Sequence, residues 1–111
     1  MKFIWLIDWR RGCLQIRLAS IDTGHLAGVT RDTEEFESCR FSVTRGDYAP
    51  LLRLVVDELH KAKAYASNDT EVAMLDDYIQ SFTTGSLDAH KNGSRHWVQN
   101  KGPIIETYCL I

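Results

Sequence analysis

Residues 47–85 read DYAPLLRLVVDELHKAKAYASNDTEVAMLDDYIQSFTTG, the most regular pattern in the chain. Leu52, Val55, Leu59, Ala62 and Ala66 fall at spacings of three and four, which makes one apolar stripe along a helix. Arg53, Asp57, Lys61 and Lys63 lie off that stripe. Asp47 or Ala49 is expected to cap this helix, with Pro50 in its first turn, where a missing N–H costs little. Asn68 followed by Glu71 three residues later has the pattern of a capping box and starts a second helix. Its stripe is Val72, Leu75, Ile79 and Phe82, widened by Met74 and Tyr78, and Gly85 suits its C-terminal stop. Ser86 caps a third segment, which carries Gly93 in its interior. Glycine costs a helix about 1 kcal/mol relative to alanine, which leaves room for a kink or a break there, with Gly102 and Pro103 ending the segment.

Toward the N-terminus the pattern shortens. Residues 3–7 read as a buried strand, and Leu14, Ile16 and Leu18 alternate as a half-buried one does. Gly24, Gly28 and the polar stretch 30–35 read as loop, and Phe41 and Val43 mark a short strand. Toward the C-terminus, residues 104–111 are apolar and β-branched enough for a strand. There Glu106 and Tyr108 stand two apart and share a face. The fold class is therefore α+β: two to three amphipathic helices in the centre, with short strands near the N-terminus and at the C-terminus.

The whole chain has 111 residues, enough for one small domain. Thirteen Lys and Arg against 15 Asp and Glu leave a formal charge of −2, without the basic excess of a dedicated nucleic-acid binder. Cys13, Cys39 and Cys109 are odd in number and widely spaced, which suits free thiols in a reducing compartment and builds no four-ligand zinc site. The apolar run after Lys2 is too short for a secretory signal, and no run approaches a membrane span. The chain is expected to be cytoplasmic, with no nucleic-acid or membrane partner.

Several short patterns carry less than they suggest. Asp22-Thr23-Gly24 matches an aspartic-protease loop, but His25 follows where a small residue is usual. Arg45-Gly46-Asp47 is the integrin-type tripeptide, with Asp47 better used as a helix cap. The sequons at Asn68 and Asn92 matter only in a secreted protein. No His-Glu dipeptide occurs, and His90 and His96, six apart, fall on different helix faces, so no metal ligands are assigned. Trp97, near Arg95 and Lys101, reads as packing at a helix end. Glu106 and Tyr108 carry more weight: on one face, a carboxylate can hold an ammonium and a phenol can donate to a developing oxyanion.

Three blocks together resemble the dipeptidyl peptidase III family: GDYAPLL at 46–52, YIQSFTTGSLDAH at 78–90 and SRHWVQNKGPIIETY at 94–108. The resemblance runs over 43–108, about three-fifths of the chain. It divides the sequence into 1–35, a poorly matched N-terminal segment, and 36–111, a partial domain of the family. The family implies a cytosolic zinc exopeptidase that releases dipeptides from the N-termini of short peptides. It has a helical zinc lobe and a mixed lobe, and these residues resemble the mixed lobe. In its Glu-x-Tyr motif the glutamate helps hold the substrate's free N-terminus, and the tyrosine helps stabilise the attacked carbonyl. Glu106 and Tyr108 match those positions, as substrate-binding and catalytic residue respectively. The family's His-Glu-x-x-x-His motif and further glutamate ligand have no counterpart here, and Cys109-Leu110-Ile111 departs from the family's continuation. The resemblance thus implies a truncated member with no cofactor of its own, catalytically silent alone, that binds short peptides by their N-terminus. The alternative is a small helical interaction module without catalysis, self-associating through exposed apolar helix faces.

Overall fold

A computed structural model describes residues 3–8, 13–24, 34–36, 39–101 and 106. Four strands are followed by three helices: β1 (Phe3–Asp8), β2 (Cys13–Ala19), β3 (Glu34–Phe36), β4 (Cys39–Asp47), α1 (Ala49–Lys63), α2 (Asp69–Thr84) and α3 (Leu87–Gln99). The chain is α+β. The strands form one mixed sheet in the order β1-β2-β4-β3. β1 and β2 pair antiparallel from Phe3↔Leu18 to Asp8↔Cys13, and β3 pairs antiparallel with β4. The central pair, β2 and β4, is parallel, from Cys13↔Arg40 to Leu18↔Arg45. Glu34 and Glu35 therefore belong to a strand, where their polarity suggested loop. β3 is a three-residue edge strand, and edges accept charged side chains that a central strand would reject.

The parallel pairing slips at its end: Leu18 faces Arg45, but Ala19 faces Asp47. Gly46 is the residue passed over, a bulge with φ at +88°. A Cβ there would stand 2.6 Å from Thr23 Cγ2, so both the backbone and the space require glycine. Ser20, fully buried, closes the bulge. Its hydroxyl accepts the Gly46 N–H at 3.1 Å and donates to the Asp22 carbonyl at 2.8 Å.

Asp47 ends β4 and is not a helix cap. Its carboxylate, largely buried, is ion-paired with Arg17 of β2. The N-cap of α1 is Tyr48, which is left-handed at φ 58° and makes no side-chain cap bond. Leu52 and Val56 are buried, and Leu59 and Ala66 pack against the central cluster of Met74, Leu75 and Tyr78. Val55 and Ala62, expected on the inward stripe, turn outward. Adjacent valines at 55 and 56 each continue the helical spacing from Leu52, and it is Val56 that is buried.

α2 starts as its sequence predicts, with one change. Asn68 Oδ1 accepts the Glu71 N–H at 2.9 Å, but the Glu71 carboxylate returns to Ser67. It accepts the Ser67 N–H at 2.6 Å and the Ser67 hydroxyl at 2.7 Å. The helix stops at Gly85, left-handed at φ 73°. Ser86 caps α3 by accepting the Ala89 N–H at 3.2 Å. α3 then runs unbroken through Gly93, with neither the kink nor the break that its weak propensity allows. Gly93 is buried beneath the Tyr78 ring, where a Cβ would come within 2.7 Å of Cε1. Glycine serves close helix approach here, and the packing offsets its weak propensity.

Sheet and helices meet through backbone hydrogen bonds. Ile21 and Asp22 donate their N–H groups to the carbonyls of Phe82 and Thr83, at 3.1 and 2.9 Å. These carbonyls lie in the last turn of α2, where no intrahelical donor remains. The loop after β2 thus satisfies the helix end.

Candidate functional site

The two residues singled out by the sequence lie beyond α3. That helix ends at Gln99 with Asn100 as its C-cap, and the Asn100 Oδ1 accepts from Asn68 Nδ2 at 3.1 Å. This bond ties the chain leaving α3 to the start of α2. Glu106 is exposed, in irregular backbone. Tyr108 and the rest of the strand expected over 104–111 lie outside the described residues.

An exposed carboxylate at Glu106 is open to a cationic partner. It can accept charge-assisted hydrogen bonds from an ammonium group, the strong class of such bonds.

Other candidate groups are committed to the fold. Asp22 is exposed on the loop that docks on α2, and its backbone groups join the Ser20 and Thr83 network. In the tripeptide 45–47, Gly46 forms the bulge and Asp47 is ion-paired, while the buried Arg45 Nε has no hydrogen-bond partner. No part of it is presented as a ligand loop. The ring of His90 stacks on Tyr78, with centroids 6.2 Å apart, and His96 Nε2 stands 3.5 Å from Asp77 Oδ2. Both histidines therefore turn toward α2, although their spacing of six was expected to put them on different helix faces. A shallow cleft of about 330 Å³, counting its open mouth, lies between Leu18, Phe82, Leu87 and His90. Its lining is mainly apolar and offers no carboxylate.

The zinc implied by the resemblance can be tested against these placements. Among the described residues no three His, Cys, Asp or Glu side chains converge as a metal would need. The described residues do not fit a zinc ion. Nor is any helix among them long and apolar enough to cross a membrane.

Sequence reasoning missed the junction of Arg17, Ser20, Gly46 and Asp47. The available signal was Gly46 itself, a glycine inside an otherwise strand-forming run, which marks a bulge.

The model of peptidase family M49 matches residues 6–109, nearly the whole chain. The chain belongs to peptidase family M49. Its match to the M49 model begins inside β1 and extends past both Glu106 and Tyr108. Dipeptidyl peptidase 3 of Nematostella vectensis is 61% identical over 74 residues, which is 67% of this chain and 10% of that protein. The Homo sapiens protein of that name is also 61% identical over 74 residues, with the same coverage. That of Dictyostelium discoideum is 37% identical over 75 residues, 68% of this chain and 11% of that protein. This M49 chain thus spans about a tenth of the length of the curated relatives it matches.

Proposed function

We propose that this chain supplies the peptide-binding part of a dipeptidyl peptidase, in which Glu106 holds the free N-terminus of a short peptide and Tyr108 faces the attacked carbonyl. The supporting observation is that the M49 match continues through residue 109, so both residues fall inside it. A carboxylate in the open at residue 106 suits an ammonium partner, and a phenol donates a hydrogen bond to an oxygen that gains negative charge. Thr107 between them keeps the two side chains on one face wherever the backbone is extended. Three cysteines, an odd number, widely spaced and without a C-x-x-C pair, suit a reducing compartment such as the cytoplasm.

On this reading the chain supplies binding and leaves the activation of water to metal ligands elsewhere; among its described residues no three metal donors converge. The test is incubation of the purified chain with a dipeptidyl arylamide, with added zinc and separately with a chelator. No turnover is expected in either condition. Turnover that a chelator abolishes would contradict this reading.

A further inference from the structure

Asn68 does more than cap α2. A helix N-cap needs one acceptor, and serine, aspartate and asparagine supply it about equally well. Here the acceptor is Oδ1, which takes the Glu71 N–H at 2.9 Å. That bond fixes which way round the amide lies and commits its nitrogen to the other side. Asn68 Nδ2 stands 3.1 Å from Asn100 Oδ1 and 3.4 Å from Ser67 Oγ. Ser67 is held in turn by the Glu71 carboxylate, through both its N–H and its hydroxyl. The donor nitrogen is therefore seated on a fixed base.

Asn100 is the residue at which α3 gives way to extended chain, with φ −76° and ψ 92°. Its backbone N–H still donates to the carbonyls of His96 and Trp97, at 3.0 and 3.2 Å, while its side chain accepts from the start of α2. One residue is thus pinned to the end of its own helix and to the neighbouring helix as well. The two helices already pack closely where Gly93 lies beneath the Tyr78 ring, and this second contact fixes the point at which the chain leaves them.

We infer that Asn68 and Asn100 are positioning residues for the Glu106 carboxylate, their side-chain bond setting the point from which the chain runs to it. Glu106 lies six residues beyond Asn100, a tether of no more than about 20 Å when fully extended, so play at the end of α3 is passed on to the carboxylate. Position 68 has the residue type this role needs. Serine or aspartate would cap α2 equally well, but serine is too short to reach Asn100 and aspartate has no donor to offer it. The inference rests on the reading of Glu106 as the holder of a peptide's free N-terminus.

Calorimetric titration with a short peptide and with its N-acetylated form tests it in wild type, Asn68→Ser, Asn100→Ala and Asn100→Asp. Asn68→Ser keeps the cap and loses the donor, Asn100→Ala loses the acceptor, and Asn100→Asp keeps an acceptor for Asn68 Nδ2. Wild type and Asn100→Asp should prefer the free amine to the same degree. In Asn68→Ser and Asn100→Ala that preference should fall about fivefold, the worth of one hydrogen bond of ordinary net strength. A purely structural role would shift the melting curves of these two variants and leave the preference of the folded chain unchanged, which would overturn the inference. So would loss of the preference in Asn100→Asp. A wild type that binds both peptides alike would remove the peptide-binding reading and this inference with it. A wild type that discriminates, beside an Asn100→Ala that discriminates equally, would remove the inference alone.

Discussion

Glu71 is only 8% exposed, a placement that calls for hydrogen-bond partners. Its carboxylate receives two hydrogen bonds from Ser67, the hydroxyl's contribution being the larger, and these hold its pKa below the ordinary carboxylate value. A lowered folded-state pKa means stability that is present in full above the unfolded value and is lost as pH falls through the folded one. Glu71→Gln should therefore destabilise the protein by about 1 kcal/mol at neutral pH, where a charge-assisted bond becomes a neutral one. Urea denaturation of both proteins checks this: the gap should close well below the ordinary carboxylate range, where Glu71 itself is protonated. An equal gap at both pH values would show that the charge contributes nothing.

At the scale of elements, the contact between α2 and α3 depends on Gly93. An alanine methyl there would meet the Tyr78 ring at 2.7 and 2.8 Å, so either the ring or the helix must move. Overpacking of this kind costs about 1–3 kcal/mol, more than the roughly 1 kcal/mol that alanine returns in helix propensity. Gly93→Ala should lower the melting temperature measurably, and a variant as stable as the wild type would contradict the packing. The sequence made the helix ends legible, because Asn68, Ser86 and Gly85 act locally, each on groups within four residues. It could not separate Val55 from Val56, since both fit the spacing and only tertiary packing distinguishes them. For the same reason Gly93 read as a helix breaker: its partner, Tyr78, is distant in sequence. Asp47 read as a cap because its true partner, Arg17, lies thirty residues away.

For the molecule as a whole, the sheet and the helices are joined by few but specific bonds. The N–H groups of Ile21 and Asp22 finish α2, and Ser20 and Gly46 set the bulge that aims the chain into α1. The α+β class followed from periodicity, whereas the mixed sheet order did not, since strand pairing is decided between segments far apart. Within the candidate site, Glu106 and Tyr108 are proposed from their spacing of two and from the family resemblance, and Tyr108 lies outside the described residues. Glu106 is exposed, and the M49 match includes both residues. The central claim, that Glu106 receives a peptide's free N-terminus, is tested most directly by titration calorimetry of the chain with a short peptide and with its N-acetylated form. The account predicts binding of the free amine that is weakened about tenfold or more both by acetylation and by Glu106→Gln, the loss of one charge-assisted contact. Equal binding of the two peptides, unchanged in Glu106→Gln, would contradict it.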